Sequence, residues 1–238
     1  MSACLSHPSP NFGARRDGAV PRLIVIHYTA MTSAEAALER LCDPEAEVSC
    51  HWLVGADGSL SSLVEEEMRA WHAGMGGWRD CTDINSASIG VELDNDGASP
   101  FPEAQMAALE RLLGEIMERW SIPPAGVLGH SDTAFTRKSD PGPRFDWRRL
   151  ARSDLAVWPD ADRGTAGELS WWHDFAASFG YRIYVAETED CGDPEAAAFH
   201  AFRTRFRPGY SGPLDVTDLR LAQDLARRFS IDPLRGAT

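Results

Sequence analysis

The run Arg22–Ala30, RLIVIHYTA, constrains the fold more than any other part of the chain. Leu23, Ile24, Val25 and Ile26 form a short, largely β-branched apolar block that closes on polar residues, the pattern of a buried strand ending at His27. A helix is expected directly after it, because TSAEAALERLC offers Thr32 or Ser33 as N-cap, Glu35 in the first turn and apolar residues at helical spacing. The same alternation recurs downstream. CHWLVGADGSLSSLV reads as a hairpin through Ala56-Asp57-Gly58, since Asp-Gly supplies the positive φ angles of a tight turn. SIGVEL reads as a strand, and PEAQMAALERLLGEIMERW as a long amphipathic helix starting near Pro102. That helix sets Met106, Leu109, Leu112, Leu113, Ile116 and Trp120 on one face. AGVLGH adds a short strand that delivers His130 at its end. Strands interleaved with helices predict an α/β fold, a mixed central β-sheet flanked by helices.

The character changes near residue 158. Pro159, Gly164 and Gly167, set among alternating charges, suggest a linker over 159–167 that separates a first domain, 1–158, from a small three-helix domain, 168–238. Each later helix carries a boundary signal: Gly180 as a C-cap, Asp193 with Pro194 at a start, and Asp215 at another.

Composition removes several classes of function. Thirty-six acidic against 23 basic residues give a net charge of -13, and a surface of that sign repels phosphate backbones and anionic headgroups. Nucleic-acid and membrane partners are therefore not expected. Cys4, Cys42, Cys50, Cys81 and Cys191 are odd in number and scattered, which reads as free thiols in a reducing compartment. The first twenty residues lack the apolar stretch of a secretory signal, and nothing hydrophobic precedes Cys4. A cytoplasmic rather than periplasmic location is the expectation.

The candidate chemistry lies at strand ends. His27 and His130 each close a predicted strand, and Asp140 follows within GHSDTAFTRKSDPGPRFDW, where Pro141, Gly142 and Pro143 stiffen the backbone. Two imidazoles and one carboxylate leave the fourth tetrahedral position of a zinc ion open, as in catalytic sites. Residue types alone leave a second reading standing, in which these are ordinary strand-end histidines.

Six blocks in order, LIVIHYTA, VSCHWLV, WHAG, INSASIGVEL, LGHSD and RKSDPGPRFDW, closely resemble the zinc-dependent N-acetylmuramoyl-L-alanine amidases of type 2. This is the AmpD/AmiD-like branch, akin to phage amidases and animal peptidoglycan recognition proteins, and the resemblance covers residues 20 to 150. It implies a Zn2+ ion held by His27, His130 and Asp140, with Glu92 as the catalytic carboxylate and Lys138 as the partner of the developing oxyanion. The implied reaction is hydrolysis of the amide between the lactyl group of N-acetylmuramic acid and L-alanine, on muropeptides, including anhydro-muropeptides, returned for recycling. The same blocks imply substrate contacts from His51, Trp71, His72, Trp78, Arg79 and Asn85, with Arg79 suited to a stem-peptide carboxylate. Cys50 stands where some relatives carry a catalytic tyrosine, which leaves acid-base work to Glu92. A recognition-only relative that binds peptidoglycan without cutting it is the alternative, but such proteins typically lack a ligand and here all three are present. The tail EAAAFHAFRTRFRPGYSGPLDVTDLRLAQDLARRF resembles the three-helix peptidoglycan-binding module of wall hydrolases, with packing of Phe199, Phe202 and Phe206 as its plainer explanation.

Overall fold

The computed structural model describes residues 4–165, 167–183 and 193–230; Cys191 lies outside them. The strands are β1 (Cys4–Ser6), β2 (Phe12–Ala14), β3 (Leu23–Tyr28), β4 (Trp52–Val54), β5 (Leu60–Ser62), β6 (Met68–Ala70), β7 (Ser88–Leu93) and β8 (Val127–Gly129), with helices between several of them. Six of them form a mixed sheet in the order β1-β5-β4-β7-β3-β8, and β2 pairs with β6 separately. The strand at RLIVIHYTA runs one residue past His27, and β4 and β5 form the expected hairpin, antiparallel across Gly55–Ser59. The three-residue strands β1, β2 and β6 have no counterpart in the sequence reading, since they lack the turn signal or apolar run that marks the equally short β4, β5 and β8.

The sheet is built on β3, which pairs in parallel with β7 on one side and β8 on the other. Its side chains alternate. Ile24 and Ile26 point to one face, where helix α3 (Glu103–Trp120) lays down Met106, Leu109, Leu112, Leu113 and Ile116. Leu23 and Val25 point to the opposite face, so both faces of β3 are covered and its apolar run has no polar alternation. Truncating a fully buried residue such as Leu112 to alanine would cost about 2–5 kcal/mol.

The cover on that second face comes from the end of the chain. Helices α6 (Trp172–Phe179), α7 (Pro194–Phe206) and α8 (Val216–Phe229) follow α1 (Ala34–Cys42), α2 (Ile84–Ala87), α4 (His130–Thr133) and α5 (Trp147–Arg152). Their Trp172, Phe179, Phe202, Phe206, Leu219 and Leu225 form one continuous cluster with Leu23, Val25, Trp78, Ile84 and Leu128. Phe202 and Phe206 are core residues, with Phe199 half-buried against them. The caps sit where the sequence put them: Asp193 accepts from the Glu195 and Ala196 amides, and Asp215 from those of Thr217 and Asp218. Within 159–167, the Asp160 amide donates to Asp224 and the Thr165 amide to Gln223, both on α8.

Candidate active site

The cleft opens at the carboxyl ends of β3 and β7, where the apolar alternation stops and polar side chains take the same face. Register brings two of them together: His27 and Glu92 are directly paired across β3 and β7. Residues Ser88, Gly90 and Glu92 share one face of β7, while Ile89, Val91 and Leu93 pack toward α3. The cavity holds about 410 Å³ and is lined by His27, His72, Glu92, His130, Lys138 and Asp140, with Tyr28, Arg40, Trp71 and Arg137 among the surrounding residues.

His130 follows β8 immediately and opens the single turn α4, so it is the first residue of a helix and not the last of a strand. The turn is pinned from below. Asp132 accepts the Gly129 amide at 2.8 Å and the Tyr181 hydroxyl at 2.6 Å, and it pairs with the guanidinium of Arg205. Asp140 is carried by the proline-glycine segment, where Gly142 adopts φ 77°, a conformation that strains any residue with a Cβ. The Ser131 amide donates to the Asp140 carbonyl at 2.8 Å and ties that segment to α4.

His27 Nδ1 lies 3.0 Å from His130 Nδ1 and 2.9 Å from Asp140 Oδ2, and His130 Nδ1 lies 3.0 Å from the same oxygen. All three residues are buried. Hydrogen bonds alone leave this arrangement unsatisfied. The other nitrogen of His130, Nε2, sits 3.0 Å from the Ala73 carbonyl, which can only accept, so Nε2 carries the hydrogen and a neutral His130 presents a lone pair at Nδ1. That lone pair faces a carboxylate oxygen. Burial pushes His27 down to about 4, with His130 adding to the shift, so at neutral pH this imidazole is uncharged and able to ligate. The donor set therefore fits a cation that accepts two nitrogens and one oxygen.

Glu92 supplies a second unsatisfied group. The residue keeps some access to the cleft, yet its Oε2 is covered and has no hydrogen-bond partner among the described residues. Burial, reinforced by the charge of Asp140, raises its carboxyl to about 8, with Lys138 acting the other way. Lys138 is exposed at the cleft mouth. Cys50, in the slot some relatives give to tyrosine, is fully buried against Ala37, Leu41, Leu53 and Leu63 and does not line the cleft.

Of the six expected substrate contacts, Trp71 and His72 line the cleft. The other four are placed elsewhere, each with structural work. His51 is buried, accepts the Gly90 amide at Nδ1 and donates from Nε2 to the Met68 carbonyl, which fixes β7 against the β6 edge. Trp78 is 2% exposed and packs edge-on against Phe179 and Tyr181. Arg79 reaches away from the cleft to the Phe179 and Phe229 carbonyls, so its guanidinium holds the ends of α6 and α8. Asn85 is buried and accepts the amides of His72 and Ala73. Residue types missed Asp132, Tyr181 and Arg205, although an aspartate two positions after His130 was a local signal.

A mixed α/β sheet bearing two histidines, an aspartate and a bare glutamate in one cleft defines a metal-dependent hydrolase. More narrowly, residues 17–143 match the N-acetylmuramoyl-L-alanine amidase family, and the chain belongs to it. It is 35% identical to N-acetylmuramoyl-L-alanine amidase AmiD of Escherichia coli K12, over 90% of this chain and 86% of that protein. Identity to the 1,6-anhydro-N-acetylmuramyl-L-alanine amidase AmpD of the same organism is 31%, over 60% of this chain and 87% of AmpD. The fold agrees. The E. coli AmiD structure, a complex with anhydro-N-acetylmuramic acid-L-Ala-D-gamma-Glu-L-Lys, superposes with a TM-score of 0.79 at 34% identity, covering 91% of this chain and 93% of that one. AmpDh3 of Pseudomonas aeruginosa gives 0.78 at 30% identity, with 90% and 94% covered. Among the described residues no helix is long and apolar enough to cross a membrane.

Proposed function

We propose that this protein is a zinc-dependent N-acetylmuramoyl-L-alanine amidase that cleaves the amide between the lactyl group of N-acetylmuramic acid and the L-alanine of stem peptides. Its substrates are muropeptides, including anhydro-muropeptides released during wall recycling. The observation that carries this reading is the meeting of three ligand atoms within 2.9–3.0 Å of one another in a cleft with Glu92, whose Oε2 has no hydrogen-bond partner among the described residues. Relatives solved with an anhydro-muramyl tripeptide and an anhydromuramic pentapeptide support the substrate class.

His27, His130 and Asp140 would hold the ion. Zinc, when bound, polarises a carbonyl and makes water acidic enough to attack near neutral pH. Glu92 takes a proton from the attacking water and passes it to the departing L-alanine nitrogen, work worth about 10²- to 10⁴-fold. Its raised carboxyl suits both halves of that transfer, because a group near neutrality can accept and then release a proton. Lys138, at the cleft mouth, stabilises negative charge as it develops on the carbonyl oxygen. Trp71 and the open end of the cleft accommodate the sugar and peptide. Residues 1–158 hold every proposed catalytic group, and the helices of 168–238 serve as backing for the sheet.

The test is direct. Zinc-loaded protein is incubated with defined anhydro and non-anhydro muropeptides, and mass spectrometry follows free stem peptide. Release from one or both is expected; no release with one zinc per chain overturns the reading.

A further inference from the structure

The side chain of Ser88 has one hydrogen to give, and its Oγ sits 2.5 Å from the Ile84 carbonyl, which can only accept. The same Oγ lies 3.2 Å from His72 Nε2. With the serine hydrogen committed to Ile84, Nε2 must be the donor in that second contact. A neutral imidazole carries one N–H, so His72 Nδ1 is left as a lone pair, 3.0 Å from His27 Nε2. His27 then donates from Nε2, and its Nδ1 is bare toward His130 and Asp140. A doubly protonated His72 would aim a hydrogen at His27 Nε2 and set a like charge beside the proposed cation.

His130 receives the same treatment from the next residue. The Ala73 carbonyl accepts its Nε2–H at 3.0 Å and bares its Nδ1. Two adjacent residues thus receive one hydrogen from each imidazole of the site. Their placement is built in. Asn85 Oδ1 accepts the His72 amide at 3.1 Å and the Ala73 amide at 2.8 Å, which buckles the pair to α2. The ring of His72 lies flat on β7 where there is no side chain: a Cβ at Gly90 would come within 2.4 Å of His72 Cγ.

We infer that residues 72 and 73 form a shared proton-accepting platform that fixes the tautomer of both His27 and His130 for metal binding. His72, Ser88 and Asn85 are thereby positioning residues and not substrate contacts. The inference rests on the metal-site reading of the cleft. An imidazole of the wrong tautomer presents an N–H to the ion and must rotate or shift its proton before it can bind, which weakens affinity before any substrate is involved. Partners of this kind typically contribute about 10- to 100-fold in metal affinity.

The experiment measures zinc affinity by competition with a chromophoric chelator, without substrate. His72→Phe, which keeps a ring of similar size and has no acceptor, is expected to weaken zinc binding by roughly 10- to 100-fold. His72→Asn, whose carbonyl oxygen can stand near the Nδ1 position, is expected to stay near the wild-type value. Gly90→Ala should move affinity toward that of His72→Phe by displacing the ring. Long-range proton–nitrogen correlation spectra of labelled, zinc-loaded wild-type protein should show the hydrogen on Nε2 and none on Nδ1 in His27, His72 and His130. Wild-type affinity in folded His72→Phe, or a hydrogen on His72 Nδ1, overturns the platform alone. A wild-type chain that takes up no zinc overturns the metal reading with it. If His72→Phe does not fold, the wild-type spectra decide.

Discussion

Two carboxylates with covered oxygens, Asp132 and Glu92, are treated in opposite ways. Asp132 is saturated: one oxygen accepts the Tyr181 hydroxyl, and the other accepts the Gly129 amide and pairs with Arg205. Arg205 adds a bond to the Val127 carbonyl and stacks over Trp147, with only its Nε left over. Glu92, in contrast, has a covered oxygen with no hydrogen-bond partner among the described residues. The first cluster is closed and belongs to the fold. The second is open, with one carboxylate oxygen unpaired among the described residues. A buried polar group left without a partner costs about 1–3 kcal/mol, and at Glu92 that cost falls in the same cleft as the three ligand atoms.

The sharpest way to break this contrast is to remove the ion. Chelation should abolish muropeptide hydrolysis and zinc should restore it; turnover that persists in thoroughly chelated protein would detach the open cluster from metal chemistry. Next in size, Glu92→Gln should lower kcat by about 10²- to 10⁴-fold while metal content, read by elemental analysis, stays at the wild-type level. Near-normal hydrolysis would mean the open carboxylate is idle. The closed cluster should respond in the other currency. Arg205→Met should lower unfolding free energy in urea by about 3–5 kcal/mol, because it strips a buried charge of its partner, with a far smaller loss of hydrolysis by the folded fraction. Tyr181→Phe removes a single donor and should cost about 1–3 kcal/mol in the same assay.

The last effect is read against pH. Glu92 is raised by burial from an ordinary 4.5 to about 8, so the folded state holds its proton longer than the unfolded state does. The group carries no penalty below pH 4.5, and a penalty grows as pH rises from there to 8. With metal removed from both, Glu92→Gln should therefore gain in melting temperature over the wild type as pH climbs through that window. A constant gap would show that Glu92 ionises as freely as an exposed acid.

The frame around the open cluster was legible in the sequence, whereas the closed cluster was not. Strand β3, the hairpin, β7 and α3 announce themselves through period and turn chemistry, because each is long enough or punctuated enough to do so. Resemblance supplied the ligand set and Glu92. The rest depended on contacts that no local pattern encodes. His72 meets His27 across 45 positions, and Arg205 meets Asp132 across 73. Trp78 and Arg79 follow closely on the WHAG block beside the cleft, yet their side chains turn toward α6 and α8, a direction set by helices a hundred residues away. The cluster linking those helices to Leu23 and Val25 likewise arises from packing, and the glycines and proline near residue 160 gave no hint of it.

Strand β7 shows how little slack the design has. Its odd positions are grease and its even positions are a hydroxyl, a hole and an acid, spaced two residues apart. Sliding this strand by one residue against β3 would send Ser88 and Glu92 into the oily layer under α3 and press Ile89 and Val91 into the seat of the His72 ring. Misregistration would thus destroy core and catalyst in one stroke. Selection for a well-packed protein and selection for a working one act here on the same six letters, SIGVEL, and cannot pull them in different directions.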